Sequence, residues 1–287
     1  MSRVDQTGAT AVRLRPLAAL LAISLLSLPA LAANPMPSGA NLVPLAAHRA
    51  LYRLKMDSAR GDVQAASGTM AYEITDACDG WATRQRLSLD ITNNDGQDIA
   101  LVSDYATWES KDGLSMRFRM RQTTDTAVTE QVEGDAVLTA PGGGGTIRYT
   151  MPEERQMPMP PGTVFPMAHT AAIIAAAEAG KHFLALPIFD GTGEKGTQDS
   201  SVAITTWNPQ PTGSPYPALA ALPSGRVHIA FFDRNKAAND AKPAGSPDYE
   251  VGMKYWANGV ADDLTMDFAD FVMLGKLSEF TIPEPHC

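Results

Sequence analysis

Apolar and polar side chains alternate along the chain from Pro44 to Gln122. In HRALYRLKMDS, alternate residues from His48 to Met56 fall on one face, and mostly charged residues fall on the other. Alternation with a period of two is typical of an antiparallel strand with one buried face. GTMAYEIT, WATRQRLSLDI and LSMRFRMRQ repeat the pattern, with the turn sequences NNDGQD and ESKDG between strands. The pattern predicts antiparallel strands joined by hairpins.

The C-terminal part of the chain alternates in the same way. YEVGMKYW and VADDLTMDF flank Asn258-Gly259, and DFVMLGKLSEFTI would be the last strand. An Asn-Gly pair between two alternating runs is a strong hairpin signal. This region therefore belongs to the same class of sheet as the N-terminal region.

One segment, FPMAHTAAIIAAAEAGK, departs from the alternation. It is rich in alanine and nearly free of charge, Pro166 suits a first helical turn, and Gly180 suits a C-terminal cap. A helix that is apolar almost all round is expected to be buried. The sequence thus predicts a mainly β protein in which a large, curved antiparallel sheet wraps around an apolar helix.

Three stretches read as irregular loops, and there is no internal repeat or second composition regime. The loops are APGGGGT, MPEERQMPMPPGT and WNPQPTGSPYPALAALPSG, all rich in glycine or proline. We expect one domain over residues 44–287, which is an acceptable length for a large antiparallel sheet.

The first 32 residues have the layout of a cleaved secretory signal. Arg3, Arg13 and Arg15 precede an apolar run of about 16 residues, and Ala30 and Ala32 form an A-x-A pattern. The alternative is an uncleaved membrane anchor, but about 20 apolar residues are needed to span a bilayer. We therefore predict export by a cleaved signal, a flexible segment over residues 33–43, and no membrane-spanning segment in the mature chain.

Charge and cysteine content narrow the partners and the redox setting. The formal net charge of −9 argues against nucleic acid or an anionic lipid surface as a general partner. The two cysteines are Cys78 and Cys287, and two lone cysteines in an oxidising compartment most often form one disulfide. Two free thiols and an intermolecular bridge are the alternatives. An internal bridge would pin the C-terminal tail.

No set of residues in the sequence predicts catalysis, a metal site or a cofactor. The five histidines lack metal-ligand spacing, and His169 is interpreted as a core histidine bonded to a neighbour, with an acid–base role as the alternative. Met151, Met157 and Met159 are read as apolar filling rather than copper ligands. Asp262 and Asp263 would point to opposite faces of a strand. No G-x-S-x-G motif is present.

Several strings together resemble the EipB family of cell-envelope integrity proteins. They include HRALYRLKMDSARG, GTMAYEITDACDGW, PPGTVFPMAHT, PIFDGTGEKG and the closing DYEVGMKYWANGVADDLTMDFADFVMLGKLSEFTIPEPHC, and the match runs over about His48 to Cys287. The resemblance implies a periplasmic protein with a broken, spiral-like β-barrel around a helix. It also implies a cysteine pair at Cys78 and Cys287, a role in maintaining the envelope, and no assigned enzymatic activity. WNPQPTGSPYPALAALPSG departs from the family because it looks longer and richer in proline.

Three functions from different classes remain open. The leading hypothesis is a non-enzymatic periplasmic protein, expected to be monomeric, that supports envelope integrity by binding an envelope component or a protein partner. The alternative follows from a fold-level likeness to LolA and LolB: a carrier of lipid or lipoprotein segments, with an apolar cavity beside Ile173 and Ile174. The third is an enzyme acting on the cell wall.

Overall fold

The computed structural model describes residues 43–234, 246–268, 270–284 and 287. These residues form strands β1 (His48–Ala59), β2 (Ala65–Asp76), β3 (Gly80–Thr92), β4 (Asp98–Ser110), β5 (Ser115–Thr124), β6 (Ala127–Leu138), β7 (Gly145–Met151), β8 (Arg155–Met159), β9 (Phe183–Ile188), β10 (Gln198–Asn208), β11 (Ser224–Asp233), β12 (Tyr249–Trp256), β13 (Ala261–Asp267) and β14 (Phe271–Thr281). The helices are α1 (Pro166–Glu178) and the single turn α2 (Pro217–Ala220). The predicted signal segment lies outside the described residues.

All of these strands join one antiparallel sheet, which confirms the predicted fold class. Its order is β8-β7-β6-β5-β4-β3-β2-β1-β14-β13-β12-β11-β10-β9. Consecutive strands pair side by side within β1–β8 and within β9–β14, and the pairing of β1 with β14 joins the two halves. The sheet is open, because its two edge strands, β8 and β9, do not pair with each other. Helix α1 lies between these two strands in the chain.

Helix α1 begins and ends where the sequence predicts. Pro166 occupies the first helical turn, where its missing N–H costs nothing. After the helix, Gly180 has a φ of 70°, and its N–H donates to the carbonyl oxygen of Ala177 at 3.0 Å. The next N–H, that of Lys181, donates to the carbonyl oxygen of Ala176. This left-handed cap satisfies carbonyl groups that a helix end would otherwise leave free.

The buried side chains form two hydrophobic clusters. The larger one surrounds α1 and takes residues from β1–β3, α2 and β10–β14, including the fully buried Ile173 of the helix. The smaller one lies among β5–β8 and includes Phe165, which directly precedes α1, and Phe189, which directly follows β9. The helix thus fills one half of the curved sheet, while side chains of the sheet fill the other half.

One predicted loop is wrong in part. MPEERQMPMPPGT was expected to be irregular, but its centre is β8, which pairs with β7. Pro158 lies within this strand. Proline is tolerated there because β8 is an edge strand, where a missing N–H need not break a ladder on both sides. The proline-rich composition therefore concealed a strand.

The predicted disulfide is present between Cys78 and Cys287, whose Cα atoms are 5.5 Å apart. Cys78 lies in the turn between β2 and β3, and Cys287 follows β14. The bond therefore holds the end of the chain against an early hairpin. Of the helices in the described ranges, none combines the length and apolar character that crossing a membrane requires.

Candidate functional site

An open groove of about 720 Å³ crosses the strands β14, β1, β2, β3, β4 and β5. Five of these strands contribute three consecutive residues each, and β5 contributes Arg119 and Arg121. The lining residues are Arg49, Ala50, Leu51, Ala71, Tyr72, Glu73, Arg84, Gln85, Arg86, Asp104, Tyr105, Ala106, Arg119, Arg121, Glu279, Phe280 and Thr281. Because side chains alternate between the faces of a strand, the outer two residues of a triplet form the walls, and the backbone of the middle residue forms the floor.

The strand register aligns the walls in two rows. In one row, Arg49 lies opposite Glu73, which lies opposite Arg84, and the row continues through Ala106 to Arg119. The parallel row runs through Leu51, Ala71, Arg86, Asp104 and Arg121. The small side chains of Ala71 and Ala106 leave open space between the longer ones.

Charged side chains dominate these walls. Glu73 accepts a hydrogen bond from Nε of Arg49 at 2.6 Å, and Arg86 donates to both carboxylate oxygens of Asp104 at 2.7 and 2.8 Å. These pairs are exposed, with 58% of the Arg86 side chain and 51% of the Asp104 side chain accessible. A solute can therefore reach the guanidinium groups without opening the core.

Two partly buried tyrosines lie behind the groove floor. Burial, with a smaller effect of nearby ionisable groups, raises the pKa of Tyr72 and of Tyr105 above the usual range. The Tyr105 hydroxyl donates to the carbonyl oxygen of Asp190. Both side chains stay neutral at physiological pH, so the charge of the groove comes from its walls.

A second open cavity of about 390 Å³ lies at the C-terminal end of α1. It is lined by Ala177, Glu178, Gly180, Lys181, His182, Ile204, Trp207, Pro209 and Pro223. Its lining is less charged than that of the groove, and it joins the helix cap to the irregular segment after β10.

Glu109 of β4 is a buried carboxylate that sequence reasoning missed. It is 3% exposed, and its two oxygens accept the backbone N–H groups of Met167 at 2.8 Å and Ala168 at 3.0 Å. Burial raises its pKa to about 7, although these two hydrogen bonds lower it. Helix α1 has no capping side chain of its own at Phe165, and Glu109 supplies the cap from 58 residues earlier. In the sequence, the one sign of this contact is that Phe165, at the N-cap position of α1, has no side-chain group that could cap the helix.

His169 is a core histidine, as predicted. It is 4% exposed, burial lowers its pKa to about 4, and its Nε2 lies 2.9 Å from Oγ of Ser200. The Ser200 hydroxyl donates its one hydrogen to the carbonyl oxygen of Leu186, so the histidine is the donor in its bond to Ser200. A nucleophilic serine would have to donate to the histidine instead. The pair is structural.

The remaining candidates lie apart from the groove. Ile173 and Ile174 are both 0% exposed, and neither lines the groove or the second cavity. The apolar cavity beside them stays a prediction. Among the residues that the structure describes, there is no group of three or more His, Cys, Asp or Glu side chains placed to hold a metal ion.

Comparisons with known proteins converge on one family. The EipB-like family model matches residues 39–284. The cell envelope integrity protein EipB of Brucella abortus is 31% identical over 254 residues, covering 85% of this chain and 87% of the relative. The crystal structure of a β-barrel-like protein from Brucella abortus, assigned to a domain of unknown function, is similar with a TM-score of 0.73 and 28% identity. That match covers 84% of this chain and 99% of the solved chain.

Proposed function

Because this chain belongs to the EipB-like family, we propose that it supports the integrity of the cell envelope as a non-enzymatic binding protein of the periplasm. The name of the Brucella relative supports the envelope role. The basic, apolar and small-residue pattern of residues 1–32 supports export. The disulfide between Cys78 and Cys287 suits an oxidising compartment.

The open groove across β14 and β1–β5 carries the binding part of this proposal. Its volume of about 720 Å³ falls within the range of ligand sites, roughly 300–1,000 Å³. Charged side chains line its walls and are accessible, so a ligand can bind without rearrangement of the core. Binding to a preformed surface avoids much of the ordering cost of association.

A carrier that holds an acyl chain beside Ile173 and Ile174 is the second candidate, supported by the apolar character of α1. Both isoleucines are fully buried, and Ile173 is packed in the larger cluster. A cavity at this position therefore requires α1 to move away from the sheet. The groove requires no such movement, so the binding function is favoured over the carrier.

Replacing a wall residue of the groove tests the proposal. Ala71 is an exposed residue of β2, and Ala71→Trp should fill the groove while leaving both clusters unchanged. We expect that a strain lacking the gene is sensitive to detergent, that the parent gene restores resistance, and that Ala71→Trp does not. Ala100→Trp is the matched control, because Ala100 is an exposed alanine of β4 outside the groove.

Two results would count against the proposal. If the deletion strain resists detergent as the wild type does, the envelope role is wrong. If Ala71→Trp fully restores resistance, the groove is not the binding site. Intact mass of the protein from the periplasmic fraction tests the location separately. We expect a chain that begins near residue 33, and a full-length chain found only in the cytoplasm would contradict export.

A further inference from the structure

We propose that the outer face of β3–β5, at one end of the groove, docks on an anionic phospholipid surface. We call this face the arginine face and define it by Arg84, Arg86, Arg117, Arg119 and Arg121. The inference rests on the proposed function, because it names what that end of the groove binds. The negative net charge of the whole chain argues against an anionic lipid surface as a partner. The arginine face, however, carries positively charged side chains, and the net charge of the chain does not describe it.

The register of three neighbouring strands produces this face. Arg84 of β3 lies opposite Ala106 of β4, which lies opposite Arg119 of β5. One step along the strands, Arg86 and Arg121 lie on either side of Asp104. Neighbouring strands are about 4.8 Å apart, so Arg84 and Arg119 lie on either side of Ala106 with their backbones roughly 10 Å apart.

Carboxylates around the arginine face neutralise only part of its charge. Asp104 pairs with Arg86, and Glu133 of β6 lies 3.7 Å from Arg119. Glu73 lies opposite Arg84 and Asp135 lies opposite Arg117 in the strand register. Each of these two acids forms its ion pair with an arginine outside the face, Glu73 with Arg49 and Asp135 with Arg148. Within the described part of the chain, Arg84, Arg117 and Arg121 form no ion pair. Several guanidinium groups are thus available for phosphate, which they can bind in a bidentate manner.

A tryptophan extends the arginine face toward the end of β4. The Trp108 ring packs against Gly80, where an added Cβ atom would come within 2.5 Å of it. The guanidinium group of Arg117 lies 4.8 Å from the centroid of that ring. Tryptophan combined with arginine is typical of surfaces at the level of lipid headgroups.

The composition of the arginine face favours a lipid headgroup layer over an acidic protein. Protein–protein interfaces are enriched in arginine and tryptophan, but they place them around a well-packed apolar core. In the described part of the chain, none of the exposed large hydrophobic residues lies on the arginine face. A surface of exposed arginines around a small residue fits an array of phosphates, for which electrostatic attraction is sufficient.

Vesicle flotation with the full exported chain tests this proposal. The probes are vesicles of phosphatidylcholine alone and of equal parts phosphatidylcholine and phosphatidylglycerol. We expect binding to the anionic vesicles only, decreasing as salt screens the charges. The triple variant Arg84→Gln, Arg119→Gln, Arg121→Gln should weaken that binding by about tenfold or more, because each arginine near an anionic surface contributes to it.

A second triple variant controls for net charge. Arg60→Gln, Lys181→Gln and Arg226→Gln remove the same charge from exposed positions outside the arginine face, and this variant should bind as the parent does. Equal binding to both vesicle types, no binding to either, or equal weakening by the two triple variants would overturn the proposal. So would a photo-crosslinking residue in place of Ala106 that captures an acidic protein in cells rather than lipid.

The two proposals can fail separately. If the deletion strain shows no envelope defect, the proposed function fails whatever the vesicles show. If the defect exists and Ala71→Trp reproduces it, while the arginine variant binds anionic vesicles normally, the groove remains the binding site and the lipid surface is wrong.

Discussion

Strand β5 has two faces with opposite physical roles. On the inner face, Phe118 is 3% exposed and makes edge-to-face contacts with Tyr149 and Phe189, with ring centroids 5.5 and 5.1 Å apart. On the outer face, Arg117 and Arg119 are exposed. The same ten-residue strand therefore contributes to stability on one face and presents charge on the other, because side chains of a strand alternate in direction.

Strand β4 repeats the contrast with two carboxylates. Asp104 lies on the outer face beside Arg86 and is half exposed. Glu109 lies on the inner face, where burial raises its pKa to about 7. The difference between these two acids comes from their surroundings rather than from their chemistry. It predicts that substitutions on the inner face change stability and that substitutions on the outer face change binding.

The largest difference should separate Phe118 from its neighbour Arg119. Phe118→Ala should lower the free energy of unfolding by about 3–5 kcal/mol, because it removes a buried ring and leaves a cavity. Arg119→Ala should change it by no more than about 0.5 kcal/mol, as is usual for an exposed site. Urea denaturation measures both values. Similar losses in the two variants would contradict the assignment of the faces.

Loss of the disulfide should have the second-largest effect on the free energy of unfolding, and the bond belongs to neither face of the sheet. Cys78→Ser should cost about 2–4 kcal/mol, since the bond closes a long loop and restricts the unfolded chain. Cys287→Ser should give the same result, and reductant should lower the melting temperature of the parent protein only. Melting of the parent that is indifferent to reductant would refute the stabilising role of the bond.

Glu109 predicts a dependence of stability on pH with a definite sign. Its pKa is raised from 4.5 to about 7 in the folded chain, so the folded state binds more protons than the unfolded state between these values. Stability from this group is therefore present below about pH 4.5 and is lost as pH rises through 7, by about 3 kcal/mol. Glu109→Gln should remove this loss.

Urea denaturation at pH 5 and pH 8 checks the Glu109 prediction as a difference between parent and variant. The comparison cancels the opposite effect of His169, whose pKa is lowered to about 4 by burial. That histidine makes stability rise with pH between about 4 and 6.5. An equal pH dependence in the parent and in Glu109→Gln would show that Glu109 does not titrate in this range.

The smallest effect should come from the exposed pair of Arg86 and Asp104. Arg86→Gln should change the free energy of unfolding by less than about 1 kcal/mol, since solvent and salt screen an exposed ion pair. A matched measurement with Asp104→Asn should give a similarly small change. A loss of several kcal/mol in either variant would mean that the outer face is buried by a contact.

Local pattern was sufficient to predict much of the fold. Alternation identified β1 from His48 to Met56 and the hairpin at Asn258-Gly259, where Gly259 has a φ of 84°. Pro166 and Gly180 identified the ends of α1. These signals are local, because strand periodicity and the conformational freedom of glycine act within a few residues.

The groove could not be predicted because it depends on register. Arg84, Arg119 and Arg121 are each visible in the sequence as the polar partners in an alternating run, but whole-chain composition describes an acidic protein. Only the pairing of β3 with β4 and of β4 with β5 brings these arginines around Ala106. Lateral neighbours are set by strand order and register, which depend on the packing of the whole sheet.

The sequence alone determined the mainly β class, the position of the buried helix and the two cysteines, Cys78 and Cys287, that an internal disulfide would have to join. The tertiary structure alone decided that Glu109 caps α1, that Ser200 donates away from His169, and that the arginine face borders an open groove. The physical reason is range. Backbone preference and side-chain alternation are properties of neighbours in the chain, whereas capping, burial and charge clustering here arise between residues that only the folded sheet brings together.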